Sequence, residues 1–250
     1  VMTDFATYTN ILPDPNNPIG EAGQSLAVAS GGSNGPGYST VNLSSKHAID
    51  NTRTNSGRLV SRQSAGHSWE ISLGYNPMTR EQFEPVYNFL LQKRGSLTPF
   101  LVSLPQYKQP RDATFATFVA SNNFTTTAGG TAGTDTLLIG NSSYVLATHK
   151  TAKPGDVFTV TDSSDSNHTK TYQITRVETN TTAETNTTEP TTAQLRIHFV
   201  PSIQRQIAVG STIVFNDPKF RVVMKSDVQS YSLNTENLYK FSLKLEEAQA

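Results

Sequence analysis

The sequence contains no cysteine, and this absence excludes several kinds of chemistry at once. Without thiols there is no disulfide framework, no thiolate metal site and no cysteine nucleophile. The five histidines, among them His47, His67 and His198, are scattered along the chain, and no two of them have the short spacing of a metal-binding motif. The local sequence therefore predicts no metal site and no cofactor.

The chain also lacks a net charge and a long apolar run. Twenty lysine and arginine residues balance 20 aspartate and glutamate residues, so no net field draws the whole chain to nucleic acid or to an anionic membrane. The longest apolar runs fall far short of the roughly 18 to 20 residues that span a bilayer, and the first residues lack the basic and apolar regions of a signal peptide. We therefore expect a soluble chain without membrane insertion.

Motifs of catalysis are missing as well. No Gly-x-Ser-x-Gly occurs where a strand leads into a helix, and the glycine-rich stretch Gly129–Gly133 is not followed by the lysine of a phosphate loop. Glu81 and Glu84 lie three residues apart on a predicted helix, where a solvated face is their ordinary position. Asp162 and Asp165 resemble calcium ligands, but no glutamate follows at EF-hand distance. We predict no catalytic residue.

The residues that are present favour β structure. Only 16% of the residues are charged and 35% are hydrophobic, while threonine, serine, asparagine and glycine are abundant. The stretch Ser68–Tyr75 alternates polar and apolar residues at period two. This predicts a strand whose buried face carries Trp69, Ile71, Leu73 and Tyr75. We expect the rest of the chain to be organised around this strand.

A short amphipathic helix should follow. Thr79 and Gln82 have the spacing of a capping box, although Pro85 argues for a later start near Glu81 or Gln82, because proline disrupts a helix interior. After Gly95 the residues from 97 to 104 should form a buried strand. The apolar stripe of the helix contains Phe83, Val86, Tyr87, Leu90 and Leu91.

Two further regions have strand patterns. Near the C-terminus, Tyr239, Phe241, Leu243 and Leu245 alternate strictly with polar residues and predict one more strand of the same sheet. Between residues 111 and 217, short β-type runs are separated by glycine, asparagine and threonine, which indicates a small barrel or sandwich without strong helices. The predicted strands of this region are Thr114–Ala120, Thr136–Ile139, Val157–Val160, Lys170–Val177, Gln194–Val200 and Ser211–Phe215.

These patterns predict a discontinuous host domain, residues 58–110 plus 218–250, interrupted by an inserted β domain at 111–217. In the host, residues 58–62 should form a short strand that a turn at 64–67 joins to the Trp69 strand. We expect one core to contain Trp69, Ile71, Leu73, Phe83, Val86, Tyr87, Leu90, Phe241, Leu243 and Leu245.

Residues 1–57 contain much glycine, proline, asparagine and serine and offer little to pack. Two interpretations stay open here: plain disorder, or an extended N-terminal arm that orders against a partner. In the second case the scattered apolar residues Phe5, Tyr8, Ile11 and Leu12 are the possible anchors on that partner.

Several stretches taken together resemble a known group of proteins. They are Ser68–Ile71, Met78–Leu91 with the following Gly95, Phe100–Pro105, and the closing Asn237–Glu247. In this combination the chain resembles the minor tail and hub proteins of tailed bacteriophages, which include distal tail proteins and baseplate tube-initiator proteins. The resemblance covers about a third of the chain and contains no catalytic signature.

The resemblance implies a fold and a function. The fold is a mainly β, tail-tube-like β-sandwich with one flanking α-helix, interrupted by an inserted small β-barrel or sandwich domain. The function is structural and non-enzymatic: subunits form a homo-oligomeric ring, commonly a hexamer, at the junction of tail tube and baseplate or tip. DNA passes through the ring without specific binding. The implied partners are further copies of the chain and other tail tube, hub or baseplate proteins, in the virion tail and, during assembly, in the host cytoplasm.

Two alternatives from other classes remain open. A carbohydrate- or receptor-binding module centred on the inserted domain should place several aromatic residues on one exposed surface. Most aromatics of the insert instead occupy strand positions that a core would use, which weakly disfavours this alternative. A degradative enzyme on a β scaffold should show titratable groups that converge in a pocket, and the linear sequence indicates no such set.

Overall fold

The computed structural model describes residues 10–15, 35–180 and 190–248, apart from the side chains of residues 63–65. The protein is mainly β and divides into two compact units. The first unit comprises the chain up to Ser103 together with Arg221–Ala248, and the second comprises Leu104–Phe220. The predicted insert, 111–217, lies within the second unit.

The first unit is built on a five-stranded sheet. In spatial order its strands are β1 (Tyr38–Arg53), β2 (Leu59–Tyr75), β13 (Ser242–Glu247), β10 (Lys219–Met224) and β3 (Phe100–Ser103). A separate two-stranded hairpin consists of β11 (Ser232–Leu233) and β12 (Tyr239–Lys240). The predicted C-terminal strand is therefore divided at Phe241, between β12 and β13.

Neither interpretation of residues 1–57, plain disorder or an arm that orders only against a partner, holds for Tyr38–Arg53, which form β1. This strand pairs antiparallel with β2 along its whole length, from Tyr38 opposite Tyr75 to Arg53 opposite Leu59. The turn predicted at residues 64–67 is also wrong, because β2 continues through it and the chain reverses between Thr54 and Arg58 instead. Most of β1 is exposed on both faces, so it has no buried face from which alternation could arise.

The helix α1 extends over Arg80–Gln92. Its first turn contains the predicted capping interaction, because the Thr79 N–H donates to Gln82 Oε1 at 3.3 Å. Pro85 lies inside the helix without displacing its start, so the expectation of a later start is wrong. Beyond its C-terminal end, Arg94 and Gly95 both have positive φ values, 54° and 69°, which turn the chain away from the helix axis.

The ten predicted core residues of this unit are buried except Tyr87, which is half-buried. Phe83 of α1 stacks on Tyr239 with ring centroids 4.5 Å apart, and both Phe83 and Tyr87 contact Phe241 edge-on. Phe89, which the predicted stripe omitted, is buried against Phe100. The strand predicted over residues 97–104 is shorter, because Leu97 is exposed and β3 begins at Phe100.

A short N-terminal segment lies against the edge of β3. The Leu12 N–H donates to the Leu101 carbonyl and the Leu101 N–H donates to the Asn10 carbonyl, each at 2.8 Å. Ile11 therefore forms a parallel bridge with Leu101, and Leu12 is fully buried. Ile11 and Leu12 are thus engaged within their own unit, which corrects their assignment as partner anchors. Phe5 and Tyr8 lie outside the described residues.

The second unit contains a closed six-stranded barrel. Around the barrel the order is β4 (Phe124–Thr126), β5 (Thr136–Gly140), β8 (Gln194–Val200), β7 (Thr171–Glu178), β6 (Val157–Thr161) and β9 (Thr212–Val214). Five of these strands confirm predicted ones to within a few residues, and β4 was not predicted. Closure leaves the barrel strands no open edge.

The first run of this unit is a helix, not the predicted strand. Helix α2 extends over Ala113–Ser121, and the side chain of Asp112 caps it by accepting the N–H groups of Thr114 and Phe115 at 3.0 and 3.1 Å. A second, single-turn helix, α3, follows at Leu146–His149. The prediction missed the cap, which competes successfully with the β propensity of the threonines and phenylalanines.

Candidate assembly surface

The longest uncovered element of the described chain is the outer part of the β1–β2 hairpin. β13 pairs with β2 only from Glu70 to Gly74, so beyond this point β1 and β2 have only each other as strand neighbours among the described residues. We call residues 46–67 the distal ribbon. An isolated two-stranded ribbon is marginally stable in water, so contacts that cover this one would stabilise it.

The distal ribbon exposes aliphatic side chains. Ile49, Leu59 and Val60 are 51%, 55% and 50% exposed, and they lie on neighbouring strands near the turn. The turn itself is well formed, because the Thr54 N–H donates to the Arg58 carbonyl at 3.0 Å and Gly57 adopts a φ of 81°. The ribbon thus combines a defined geometry with apolar surface that a partner would cover.

The distal ribbon is also cationic. It contains Lys46, Arg53, Arg58 and Arg62 but only one acidic residue, Asp50. Since the whole chain has 20 residues of each sign, the remainder of the chain is left with 16 cationic and 19 anionic residues. The excess of positive charge on the ribbon is therefore balanced by an equal excess of negative charge in the rest of the chain.

The two edges of the five-stranded sheet differ. At one edge, β3 is four residues long and is covered by the Asn10–Leu12 segment. At the other edge, β1 is 16 residues long and has β2 as its one strand neighbour in the described chain. An open edge of this length presents a row of backbone donors and acceptors to another chain.

A different polar cluster lies on the outer face of the barrel. Glu178, 3% exposed, accepts hydrogen bonds from Arg196 Nη1 at 3.2 Å and Arg176 Nη2 at 2.5 Å, and its Oε1 lies 2.9 Å from His198 Nε2. Burial alone would raise the pKa of the Glu178 carboxyl, but the His198 hydrogen bond and the neighbouring cations lower it overall. The carboxylate is satisfied by these partners, and the cluster links β7 to β8 on the barrel.

A shallow groove of about 530 Å³ lies between α2 and α3 in the second unit. Its lining includes neutral hydrogen-bonding side chains from Thr114, Thr117, Asn122 and Thr148, together with His149. The described part of this groove holds no carboxylate, and the His149 Nδ1 already accepts the Val145 N–H at 3.0 Å. It therefore lacks the convergent titratable groups of a hydrolase site.

From the sequence we predicted no catalytic, cofactor-binding or metal-binding residues. The predicted core residues and N-terminal anchors all lie outside the distal ribbon. The ribbon residues were missed because their strands were assigned to an arm and to a shorter hairpin. One signal was available: the turn sequence Asn55-Ser56-Gly57 is flanked by two stretches rich in threonine, serine and aliphatic residues.

In comparisons with known proteins, no family model matches the chain and no curated protein matches it. Of the helices in the described ranges, none has the length and apolar character that crossing a membrane requires.

Proposed function

We propose that the chain is a structural, non-enzymatic subunit of a bacteriophage tail. In this proposal the first unit is a tail-tube-like β domain, and copies of it associate into a ring, sixfold as the resemblance implies, between tail tube and baseplate or tip. DNA passes through the ring without specific binding. The observation that carries the proposal is the distal ribbon, a long hairpin without a strand neighbour on a sheet whose β1 edge is open.

The ribbon suits contact with another copy of the same chain. Its aliphatic side chains supply apolar area, and its cationic surplus is complementary to the anionic remainder of the chain. Contact between a ribbon and a different surface of the next copy is heterologous, and heterologous contacts generate closed rings when the rotation closes. A ring of this kind needs no ligand and no catalytic group.

The barrel supports this proposal more than it supports a glycan-binding module. Its eight aromatic residues that could have formed a sugar platform all belong to the buried core of the barrel. They are Phe115, Phe118, Phe124, Tyr144, Phe158, Tyr172, Phe199 and Phe215. A sugar platform needs aromatic faces that are open to solvent, so we do not propose carbohydrate binding by this unit.

Mass measurement of the purified chain over a range of concentrations tests the proposal, together with a projection image of any assembly. We expect a discrete ring of copies. Reversal of two ribbon charges, Arg53→Glu with Arg62→Glu, should abolish it while leaving the fold intact, since both side chains are exposed.

The matched control is Lys150→Glu, a charge reversal at an exposed position on the barrel unit, which should leave the ring unchanged. A chain that stays monomeric at high concentration, and that is absent from rings formed with other tail proteins, would contradict the proposal. If the ribbon variant and the control assemble equally well, the ribbon is not part of the interface.

A further inference from the structure

Strand pairing brings two histidines together at the root of the distal ribbon. His47 of β1 and His67 of β2 are directly opposite each other in the register, and their ring centroids are 4.8 Å apart. They are twenty positions apart in sequence, so no local motif indicates the pair. His47 is exposed, whereas His67 is only 5% exposed.

The reactive nitrogens of both rings converge on one point. His47 Nε2 lies 3.0 Å and His67 Nε2 lies 2.9 Å from the same oxygen, Ser45 Oγ. A serine hydroxyl carries a single hydrogen, so it can donate to only one of the two nitrogens, and the other must itself donate to the oxygen. The hydroxyl thus holds both nitrogens towards one point, one through its lone pair and the other through its N–H.

We propose that His47 and His67 form a binding site for a divalent transition-metal ion of the zinc, copper or nickel type. Imidazole nitrogen is a preferred ligand of these ions, and a Zn–N distance of about 2.0 to 2.1 Å is reached when both Nε2 lone pairs point to one centre. Water supplies oxygen at the remaining positions of a tetrahedral site.

Lys46, the basic residue next to His47 in the sequence, does not face the pair. Because successive side chains of a strand point to opposite faces, Ser45 and His47 share one face of the ribbon, while Lys46 points to the other face, where it pairs with Glu70 at 3.6 Å. Within the described ranges no three histidine, aspartate or glutamate side chains gather as a metal site. This site is therefore a two-histidine site, open to solvent on the side of His47.

The protein carries its own reporter for the site. Trp69, the one tryptophan of the sequence, packs edge-on against His67 with ring centroids 4.8 Å apart. Binding of a paramagnetic ion such as Ni²⁺ to His67 should therefore quench all of the tryptophan fluorescence that the protein emits.

The test uses the full chain after treatment with a chelator. Calorimetric titration with Zn²⁺ alone should show saturable binding, and titration with Ni²⁺ alone should quench Trp69 in a way that added chelator reverses. His47→Gln should weaken both by more than about tenfold, since even the loss of a supporting residue around a metal costs 10- to 100-fold.

Three further variants make the result decisive. His67→Gln should act as His47→Gln does, but His67 is buried, so the exposed His47 is the primary test. Ser45→Ala should keep the binding, because the hydroxyl competes with the ion for both nitrogens. The matched control, His149→Gln in the second unit, should bind as the parent does. Equal Zn²⁺ binding by the parent and His47→Gln, or no saturable binding at all, would overturn the proposal.

Discussion

At the scale of single residues, the buried carboxylate of Glu178 and the buried side chain of Trp69 allow the most direct tests of the structure. Glu178 is the only carboxylate in the described chain that meets two arginines and a histidine at once, and its pKa is lowered from the ordinary glutamate value of 4.5. A carboxyl whose pKa is lower in the folded state stabilises the protein above its unfolded pKa. This contribution is fully present above about pH 4.5 and is lost as the pH falls through the lower, folded pKa.

We therefore expect Glu178→Gln to lower the unfolding free energy at pH 7 by about 2 kcal/mol, the range for hydrogen bonds to a charged group. The loss should shrink as the pH falls from about 4.5 towards the lower, folded pKa, because the unfolded parent then takes up a proton that the folded parent does not. Thermal unfolding measured from pH 7 to pH 3 checks both statements. Glu81→Gln, on the exposed side of α1, is the control. A difference between parent and Glu178→Gln that is the same at every pH would contradict the assignment.

Trp69 tests the core of the first unit. It is 4% exposed, and its backbone N–H donates to Glu247 Oε2 at 3.1 Å. Trp69→Ala should cost roughly 3 to 5 kcal/mol, because it removes a large buried side chain and leaves a cavity. Denaturant unfolding provides the measurement, with Leu97→Ala at an exposed position as the comparison. A loss below about 0.5 kcal/mol, the size of a typical surface change, would mean that Trp69 does not organise this core.

At the scale of elements, the sequence predicted the strands and the helix that bury one face and expose the other. β13 and the inner half of β2 alternate because the sheet buries one side of them, and α1 has a stripe because it packs on that sheet. The ribbon could not be predicted in the same way, since a strand exposed on both faces gives no periodic signal. The His47–His67 pair depends on the register of that ribbon, so the candidate metal site was beyond local sequence reasoning as well.

Helix α2 shows how one side chain can decide the form of an element. Asp112 satisfies two backbone N–H groups of its first turn, so Asp112→Ala should lower the unfolding free energy by about 1 kcal/mol. Asp112→Asn, which keeps an accepting oxygen at the cap, should lose much less. The melting temperatures of the two variants measure this difference in stability. Similar losses for both would show that the charge of Asp112, and not its cap, matters.

At the scale of the whole molecule, the barrel interrupts the sheet unit between two strands that are neighbours in that sheet. β3 precedes it and β10 follows it. We expect that replacing residues 105–218 by a short Gly/Ser linker leaves a folded sheet unit, because that unit has its own buried core. Circular dichroism and cooperative urea unfolding of the shortened chain provide the test. A non-cooperative transition would mean that the sheet unit depends on the inserted segment.

The distal ribbon is open to strand pairing along both of its sides, whereas the far edge of the sheet is not. β1 has no strand on its outer side among the described residues, and β13 leaves the outer part of β2 unpaired, while β3 is covered by the Asn10–Leu12 segment. Pairing of β1 in one copy with the outer part of β2 in the next would join two different edges head to tail. Such a contact can be repeated from copy to copy, so it closes into a ring where the rotation between copies allows closure and otherwise extends into a filament.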